Sequence, residues 1–330
     1  MFSNDRIIKL LSEEFIPVTN NVSFSQRQQD AEGEFFRLVA EQGHYQGRTF
    51  PSDTRQGLYV AAPDGTLIRS LNTTDRNRLF RMLNRALEIW KSEDRTADVD
   101  FAREIEKDSK YHFEFPERGM ALRVTVRDLP REVDEARRDD RFNFDYMWLT
   151  EAEKLSLVPE GIEAGQEFAP ADQIVRRIAR FHLIDHVRGE SPSWKESHIE
   201  VSEFTCLVKS VDDSQVELEF KGQVKSVRPP SGRVNPYTNL KLDKDCGIEL
   251  QLTGYATFVR DSDSFKQFEI LATGSRWGTT MYNFRGKDMG PAPIAIAFTR
   301  LDPEPQNLVP PKFVPWNYMA RDYYTANEEK

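Results

Sequence analysis

Two histidines four positions apart, His182 and His186, are the residues of this sequence that are best spaced for metal chemistry. Residues at i and i+4 of an α-helix lie on the same face, so both rings could bind one divalent ion. His198 and Asp185 are the candidates for a further ligand. The residues between the two histidines lack the general-base glutamate of the zinc-protease motif. A divalent-metal site is therefore one interpretation, and the commoner one is that both histidines pack between a helix and a sheet.

Charged residues around His186 give the same stretch a third interpretation. Asp185, Arg188 and Glu190 are close enough in sequence to form a salt-bridge network at the end of the predicted helix. An arginine near a helix C-terminus is favourable by about 0.3–1 kcal/mol because it interacts with the helix dipole. The sequence leaves helix stabilisation and metal binding open as alternatives.

A second group of candidate residues lies in "GSRWGTTMYNFRGKDMGPAPIAIAF", where arginines and aromatic residues stand among several glycines. Glycine allows a ligand to approach the backbone closely, and arginine binds carboxylates and phosphates with paired hydrogen bonds. No Gly-Lys-Ser/Thr follows the glycines, so the stretch is not a phosphate-binding P-loop. The alternative is a hairpin around one buried tryptophan. The candidate ligand-binding residues are Arg188, Arg276, Trp277, Tyr282 and Arg285.

Nucleophilic and redox chemistry have weaker support. No Gly-x-Ser-x-Gly elbow is present, and the cysteines Cys206 and Cys246 lie 40 positions apart without a Cys-x-x-Cys spacing. Cys206 alternates with Phe204 and Val208 in a strand pattern, which favours a buried apolar role over that of a nucleophile. The sequence does not decide whether the two cysteines pair.

The elements that carry these candidates form a predicted antiparallel β domain over residues 113–302. "MALRVTVRDL" alternates as a strand, and Phe142, Phe144, Tyr146 and Trp148 share one parity, which predicts either an aromatic core strand or an aromatic-lined pocket. One helix is predicted over "QIVRRIARFHLIDHVRG", ending near Gly189. We expect the sheet to twist and curl into a sandwich or a partly closed barrel, with that helix packed on it. Its later strands are "HIEVSEFTCLVKSV", "QVELEFKGQVKSV", "GIELQLTGYATFV", "FKQFEILATGSRWG" and "APIAIAFTRL".

The first 92 residues have a different order of predicted elements. "DRIIKLL" predicts a helix, "EFIPVTNNV" an extended strand, and "SQRQQDAEGEFFRLVAEQG" a second helix. "GLYVAAPDGTLIRSL" predicts two strands joined at Pro63-Asp64-Gly65, a strong turn signal. The last helix has an apolar face of Leu79, Phe80, Leu83 and Leu87.

This order of elements resembles the thioredoxin-like superfamily. "IIKLLSEEFIPVTNN" is similar to the end of its redox helix and the following strand, and "GLYVAAPDGTLIRSL…LFRMLNRAL" to its C-terminal hairpin and helix. The resemblance implies a truncated α/β domain over residues 1–92. It departs from the family in two ways: residues 1–205 contain no cysteine, and no proline stands near Gln56 and Gly57, where the family has a cis-proline. Because thiol–disulfide exchange needs a thiolate, we expect no oxidoreductase activity from this domain.

Composition and charge complete the sequence-based picture. The 330 residues carry a formal net charge of −9, and acidic and basic residues alternate, which argues against a nucleic-acid partner. No apolar run reaches the roughly 18 residues of a membrane span, and the N-terminus has no signal-peptide pattern, so the default location is the cytoplasm. We predict an α+β protein with four parts: residues 1–92, a charged linker or helix at 93–112, the β domain at 113–302, and a proline-rich tail at 303–330 that lies along the surface.

The functional prediction follows from the missing motifs. A non-catalytic binding or scaffold protein, with an unidentified small molecule, peptide or protein as partner, accounts best for a thioredoxin-like domain without its cysteines. The alternative is a metal-dependent enzyme centred on His182 and His186, with His198 as a further ligand. No cofactor other than a divalent metal is suggested.

Overall fold

The computed structural model of the protein describes residues 1–46, 55–92, 114–131, 141–159, 161–235, 238–304 and 307–312. The chain forms two compact units. The first unit contains the residues up to Glu114 together with a second segment that begins at Glu304, and the second unit contains Phe115–Pro303. The predicted linker at 93–112 lies outside the described residues.

In its described part, the first unit consists of helices and one β-hairpin. Side chains cap three of its helices: Asn21 accepts a hydrogen bond from the Ser23 N–H, Asp30 accepts one from the Gly33 N–H, and Asp75 accepts one from the Arg78 N–H. Gly65 adopts a φ of 82° at the hairpin turn, a left-handed conformation that favours glycine. The elements are α1 (Asp5–Glu14), α2 (Val22–Ser25), α3 (Ala31–Glu41), β1 (Leu58–Ala61), β2 (Leu67–Leu71) and α4 (Arg76–Ser92).

The core of this unit lies between α1, α4 and the hairpin. Ile7 of α1 is buried against Leu79, Met82 and Leu83 of α4. Apolar residues of the hairpin, including Val60, pack against the same cluster. Leu79 and Leu83 of the apolar face predicted for the last helix are therefore buried.

The strand predicted at residues 15–18 is absent. β1 and β2 form a two-stranded sheet by themselves, and the chain from Phe15 to Val18 has no regular structure. Ile16 and Val18 are 93% and 78% exposed. Pro17 explains part of the difference, because proline cannot donate a hydrogen bond to a neighbouring strand.

The second unit is built around one open antiparallel sheet. Its eight strands follow the order β4-β3-β10-β9-β8-β7-β6-β5, and every neighbouring pair is antiparallel. The predicted antiparallel sheet is thus confirmed, although the sheet is not closed. The strands are β3 (Met120–Asp128), β4 (Phe142–Leu149), β5 (Glu167–Phe168), β6 (Ile199–Val211), β7 (Gln215–Arg228), β8 (Cys246–Val259), β9 (Ser264–Trp277) and β10 (Ala292–Leu301).

The two faces of the sheet differ in polarity. In β7, Leu218 and Phe220 are buried on the inner face, whereas Glu219 on the outer face is paired with lysines. The chain between β4 and β6 reaches the inner face at His182, whose ring packs edge-to-face with that of Phe298, with centroids 6.3 Å apart. This part of the chain contains α5 (Glu151–Leu155) and α6 (Asp172–Arg177), which continues into a π-helical turn at Ile178–His182.

Two predictions, one about this helix and one about the C-terminal tail, need correction. The helix predicted to reach Gly189 ends at His182, where the Leu183 N–H bonds to the Ile178 carbonyl and Leu183 leaves the helical conformation. The proline-rich tail does not lie along the surface in its described part, because Val309 is only 2% exposed within the first unit.

None of the helices in the described ranges is long and apolar enough to cross a lipid bilayer.

Candidate functional site

Charged side chains from four parts of the second unit meet at one end of the sheet. Asp128 ends β3 and Arg276 lies near the end of β9, while the remaining members belong to the chain after the π-helical turn and to the loops next to β3 and β10. We call this cluster the buried ion network. Its members are Asp128, Arg131, Asp185, Arg188, Arg276, Arg285 and Asp288.

Arg285 is the centre of the buried ion network. Its guanidinium is fully buried and donates paired hydrogen bonds to Asp128 at 2.7 and 2.9 Å. It donates a second pair to Asp185, both at 2.8 Å. Burial alone would lower the pKa of Arg285, but the bonds to the two carboxylates outweigh it and raise the pKa above its usual value. Arg285 therefore stays charged and joins β3 to the segment after the π-helical turn.

Asp288 is the second centre. Arg131 donates to both of its carboxylate oxygens at 2.8 Å, and Arg276 donates to one of them at 2.5 Å. Arg188 lies 3.0 Å from Asp288 and also bonds to Asp128. Burial would raise the pKa of Asp288, but the hydrogen bond from Arg131 and the charge of Arg276 hold it well below its usual range.

The loop between β9 and β10, residues 278–291, is anchored by the contacts of Arg285 and Asp288 in the buried ion network. Thr280, Asn283 and Arg285 are buried, whereas the alternating residues Tyr282 and Phe284 are 47% and 59% exposed. The Asn283 Oδ1 accepts a hydrogen bond from the Thr280 N–H at 2.9 Å. We call residues 278–291 the aromatic loop, because two aromatic side chains are exposed on it while the polar side chains beside them are buried.

Backbone geometry shows how closely the aromatic loop fits its surroundings. Phe284 has a φ of 52°, a left-handed conformation that is costly for a bulky residue. A Cβ on Gly189 would lie 2.1 Å from the Tyr282 carbonyl oxygen and 2.7 Å from the Phe284 ring. The Asn235 side chain donates to the Met281 carbonyl at 2.7 Å from another side. The loop is therefore held by a glycine contact and by hydrogen bonds from several segments.

The histidines predicted as metal ligands are placed differently. His182 ends the π-helical turn, and burial lowers its pKa to about 3. His186 lies beyond the end of the helix, so the predicted shared helical face does not exist; its Nδ1 accepts from the Ser191 N–H at 3.1 Å. The His198 Nδ1 accepts from the Lys195 N–H at 3.2 Å. Within the described ranges, no three His, Cys, Asp or Glu side chains are grouped to hold a metal ion.

The other predicted ligand residues divide into two sets. Arg188, Arg276 and Arg285 do come together, but around aspartates of the protein itself. Trp277 donates to Asp245 at 2.9 Å, and Tyr282 stands on the aromatic loop. The salt-bridge alternative held in part, because Asp185 and Arg188 are ion-paired, though with partners from other elements.

Sequence reasoning missed Asp128, Arg131 and Asp288 of the buried ion network, and it also missed Phe284. Asp128 follows a predicted strand and Asp288 stands in "RGKDMG", and neither position differs in pattern from an exposed acid. Their partner Arg285 is 157 and 3 positions away, respectively. Only the density of arginines and glycines in one stretch indicated that the region was unusual.

The chemistry available to the buried ion network is limited. Asp128 and Asp288 are held ionised by arginines, so they are weak bases, and burial separates them from solvent. Both cysteines of the chain are free and buried. The arrangement supports a rigid surface loop better than it supports acid–base catalysis. In comparisons with protein-family models, with curated proteins and with solved structures, the chain has no significant match.

Proposed function

We propose that this chain is a non-catalytic binding protein whose second unit recognises a protein or peptide through Tyr282 and Phe284. The observation that carries the proposal is their position. Both rings are exposed on the aromatic loop, while the residues next to them, Asn283 and Arg285, are buried and hydrogen-bonded. The chemistry of the partner is an apolar pocket that accepts aromatic side chains.

Physical reasons favour such a loop for binding. Aromatic anchors supply much of the energy of protein interfaces, because they bury a large area with few rotatable bonds. A loop that is already fixed loses little conformational freedom on binding, so more of the contact energy appears as affinity. The strained conformation of Phe284 adds support, since such residues cluster at functional positions.

The first unit takes the part of a scaffold or binding surface in this proposal. Its resemblance to the thioredoxin-like superfamily remains a prediction: the hairpin and α4 fit it, whereas the absence of a strand at residues 15–18 does not. Without a cysteine in residues 1–205, thiol exchange has no nucleophile there. A metal-dependent enzyme centred on His182 remains the alternative, and no contact of the described residues favours it.

The substitution Phe284→Asn tests the proposal, because asparagine tolerates a left-handed conformation better than other residues and should leave the loop in place. Tyr255→Ser is the matched control, since Tyr255 is 60% exposed on the outer face of the sheet. Proteins that bind to the wild type and to Tyr255→Ser, but not to Phe284→Asn, would be purified. Their affinity for each of the three proteins would then be measured by titration calorimetry. We expect Phe284→Asn to weaken binding of the purified partner by about tenfold or more, and Tyr255→Ser to leave it unchanged.

Two results would contradict the proposal. Equal affinity of all three proteins for the purified partner would exclude the aromatic loop as the binding surface. One tightly bound metal ion per chain, measured by elemental analysis of protein purified without a chelating tag, would favour the enzyme instead.

A further inference from the structure

The chain returns to the first unit after the β domain, and the returning residues are buried. We call Asn307–Lys312 the return segment. Val309 and Lys312 are 2% and 8% exposed, and Pro310 and Pro311 between them are buried as well. Asp302, Pro303 and Glu304, which precede the return segment, are exposed. A short apolar stretch is thus inserted into the first unit at the end of an exposed connection.

Arg27 holds the return segment by its backbone. The Nη1 of Arg27 donates to the Pro310 carbonyl at 2.5 Å, across 283 positions of sequence. Arg27 itself is 3% exposed. Its Nε donates to the Ser23 carbonyl at 2.7 Å, and its guanidinium lies 5.4 Å from the centroid of the Phe24 ring. The guanidinium is therefore fixed by α2 in the orientation that reaches Pro310.

The chemistry of this contact suits a proline-containing segment. Proline has no N–H, so an extended Val-Pro-Pro-Lys stretch offers mainly carbonyl oxygens and apolar rings to its surroundings. A buried arginine beside an aromatic ring supplies a donor for a carbonyl and an apolar surface for the rings. Domains that recognise proline-rich peptides also place aromatic side chains against them.

The return segment is not a member of the hydrophobic cluster between α1, α4 and the hairpin. That cluster consists of Ile7, Leu79, Met82 and Leu83 with partly buried neighbours from residues 1–80. Arg27 and Arg37 of α3 belong to a second group of buried residues outside that cluster, in which Arg37 donates to the Gln28 carbonyl at 2.7 Å. The return segment contacts this second part through Arg27.

From these contacts we infer that the first unit contains a binding site for extended, proline-containing peptides, and that residues 307–312 occupy it within the same chain. A partner with a similar Val-Pro-Pro segment competes with the return segment for Arg27. This inference does not depend on the aromatic loop, because the site and its occupant belong to the first unit.

The test separates the return segment from the chain after folding. A specific protease site is inserted between Pro303 and Glu304 of the full chain, and the purified protein is cleaved. We expect the C-terminal fragment to co-elute with the body in gel filtration, and to exchange with a fluorescent synthetic peptide of residues 304–330. A peptide carrying Val309→Asp should compete about tenfold or more weakly, because a charge would enter the apolar position.

Substitution of the protein provides the control. Arg27→Gln should weaken peptide exchange by about tenfold, as expected for the loss of one buried hydrogen bond to a charged group. Arg85→Gln in α4, where the arginine is 60% exposed, should have no effect. Equal competition by the wild-type and Val309→Asp peptides overturns the inference. So does unfolding of the first unit when the fragment leaves, measured by circular dichroism, because the return segment would then be part of the core.

Discussion

His182 shows at the scale of a single residue why spacing alone did not identify a ligand. Its ring is 2% exposed and lies against Phe298, so the histidine serves as a packed side chain of the inner face. The spacing from His186 is the same in sequence as that of a chelating pair. The helix ends between the two residues, however, and a pattern of four positions cannot report where a helix ends.

Burial of His182 leads to a prediction about pH. The unfolded chain binds a proton at His182 near pH 6.5, whereas the folded chain resists it down to a pKa of about 3. Stability is therefore fully present above pH 6.5 and is lost as the pH falls towards 3. From pH 7 to pH 5 the free energy of unfolding should fall by about 2 kcal/mol through this group, measured by urea denaturation.

The substitution His182→Gln should remove that loss, because glutamine does not titrate. His44→Gln is the control for the exchange of a histidine for glutamine, since His44 is exposed. An unaltered slope between pH 7 and pH 5 in His182→Gln would exclude His182 as its source.

At the scale of elements, the sequence predicted best what depends on neighbouring residues. The alternation of Val216, Leu218 and Phe220 with charged residues predicted β7, because a strand with one buried face needs only that alternation. The prediction of a strand at residues 15–18 was wrong, because a strand requires a neighbouring strand and a short apolar sequence does not show whether one is present. The buried ion network was unpredictable for a related reason: Asp185 and Arg285 are 100 positions apart.

The buried ion network gives the element-scale prediction, because Arg285 bonds together β3, the segment after the π-helical turn and the aromatic loop. Arg285→Met would leave Asp185 buried without its arginine partner and Asp128 paired with Arg188 alone. We expect a loss of about 3–5 kcal/mol in the free energy of unfolding, measured with urea at pH 7. Arg285→Lys should recover only part of it, because lysine cannot form paired hydrogen bonds to two carboxylates.

A surface pair provides the comparison for Arg285. Arg300 pairs with Asp302 at 3.0 Å, and the aspartate side chain is 72% exposed. Arg300→Gln should therefore cost less than about 1 kcal/mol. If Arg285→Met cost no more than Arg300→Gln, the buried ion network would not hold these elements together.

At the scale of the whole molecule, the first unit is built from two segments of the chain that are separated by the second unit. The chain builds most of the first unit, then the second, and returns to the first at Glu304. The end of the β domain was predicted at residue 302, because a proline-rich sequence follows the last predicted strand. The burial of Val309 was not predicted, since Leu308 and Val309 stand just before two prolines and show no helical or strand periodicity.

The geometry of the large sheet yields the last prediction, which concerns the two cysteines. Cys206 lies opposite Phe220 of β7, and Cys246 lies opposite Arg228 of the same strand. Eight residues of strand span about 27 Å, far beyond the roughly 4–7 Å between Cα atoms in a disulfide.

Burial also raises the pKa of the Cys206 thiol to about 12 and raises that of Cys246, so neither forms a thiolate readily at neutral pH. We therefore expect almost no thiol reactivity with Ellman's reagent in the native protein, and reaction of both cysteines after denaturation in guanidinium. Mild oxidation before denaturation should leave that titre unchanged, whereas a reversible loss of both thiols would mean that the cysteines meet and that the strand register is wrong.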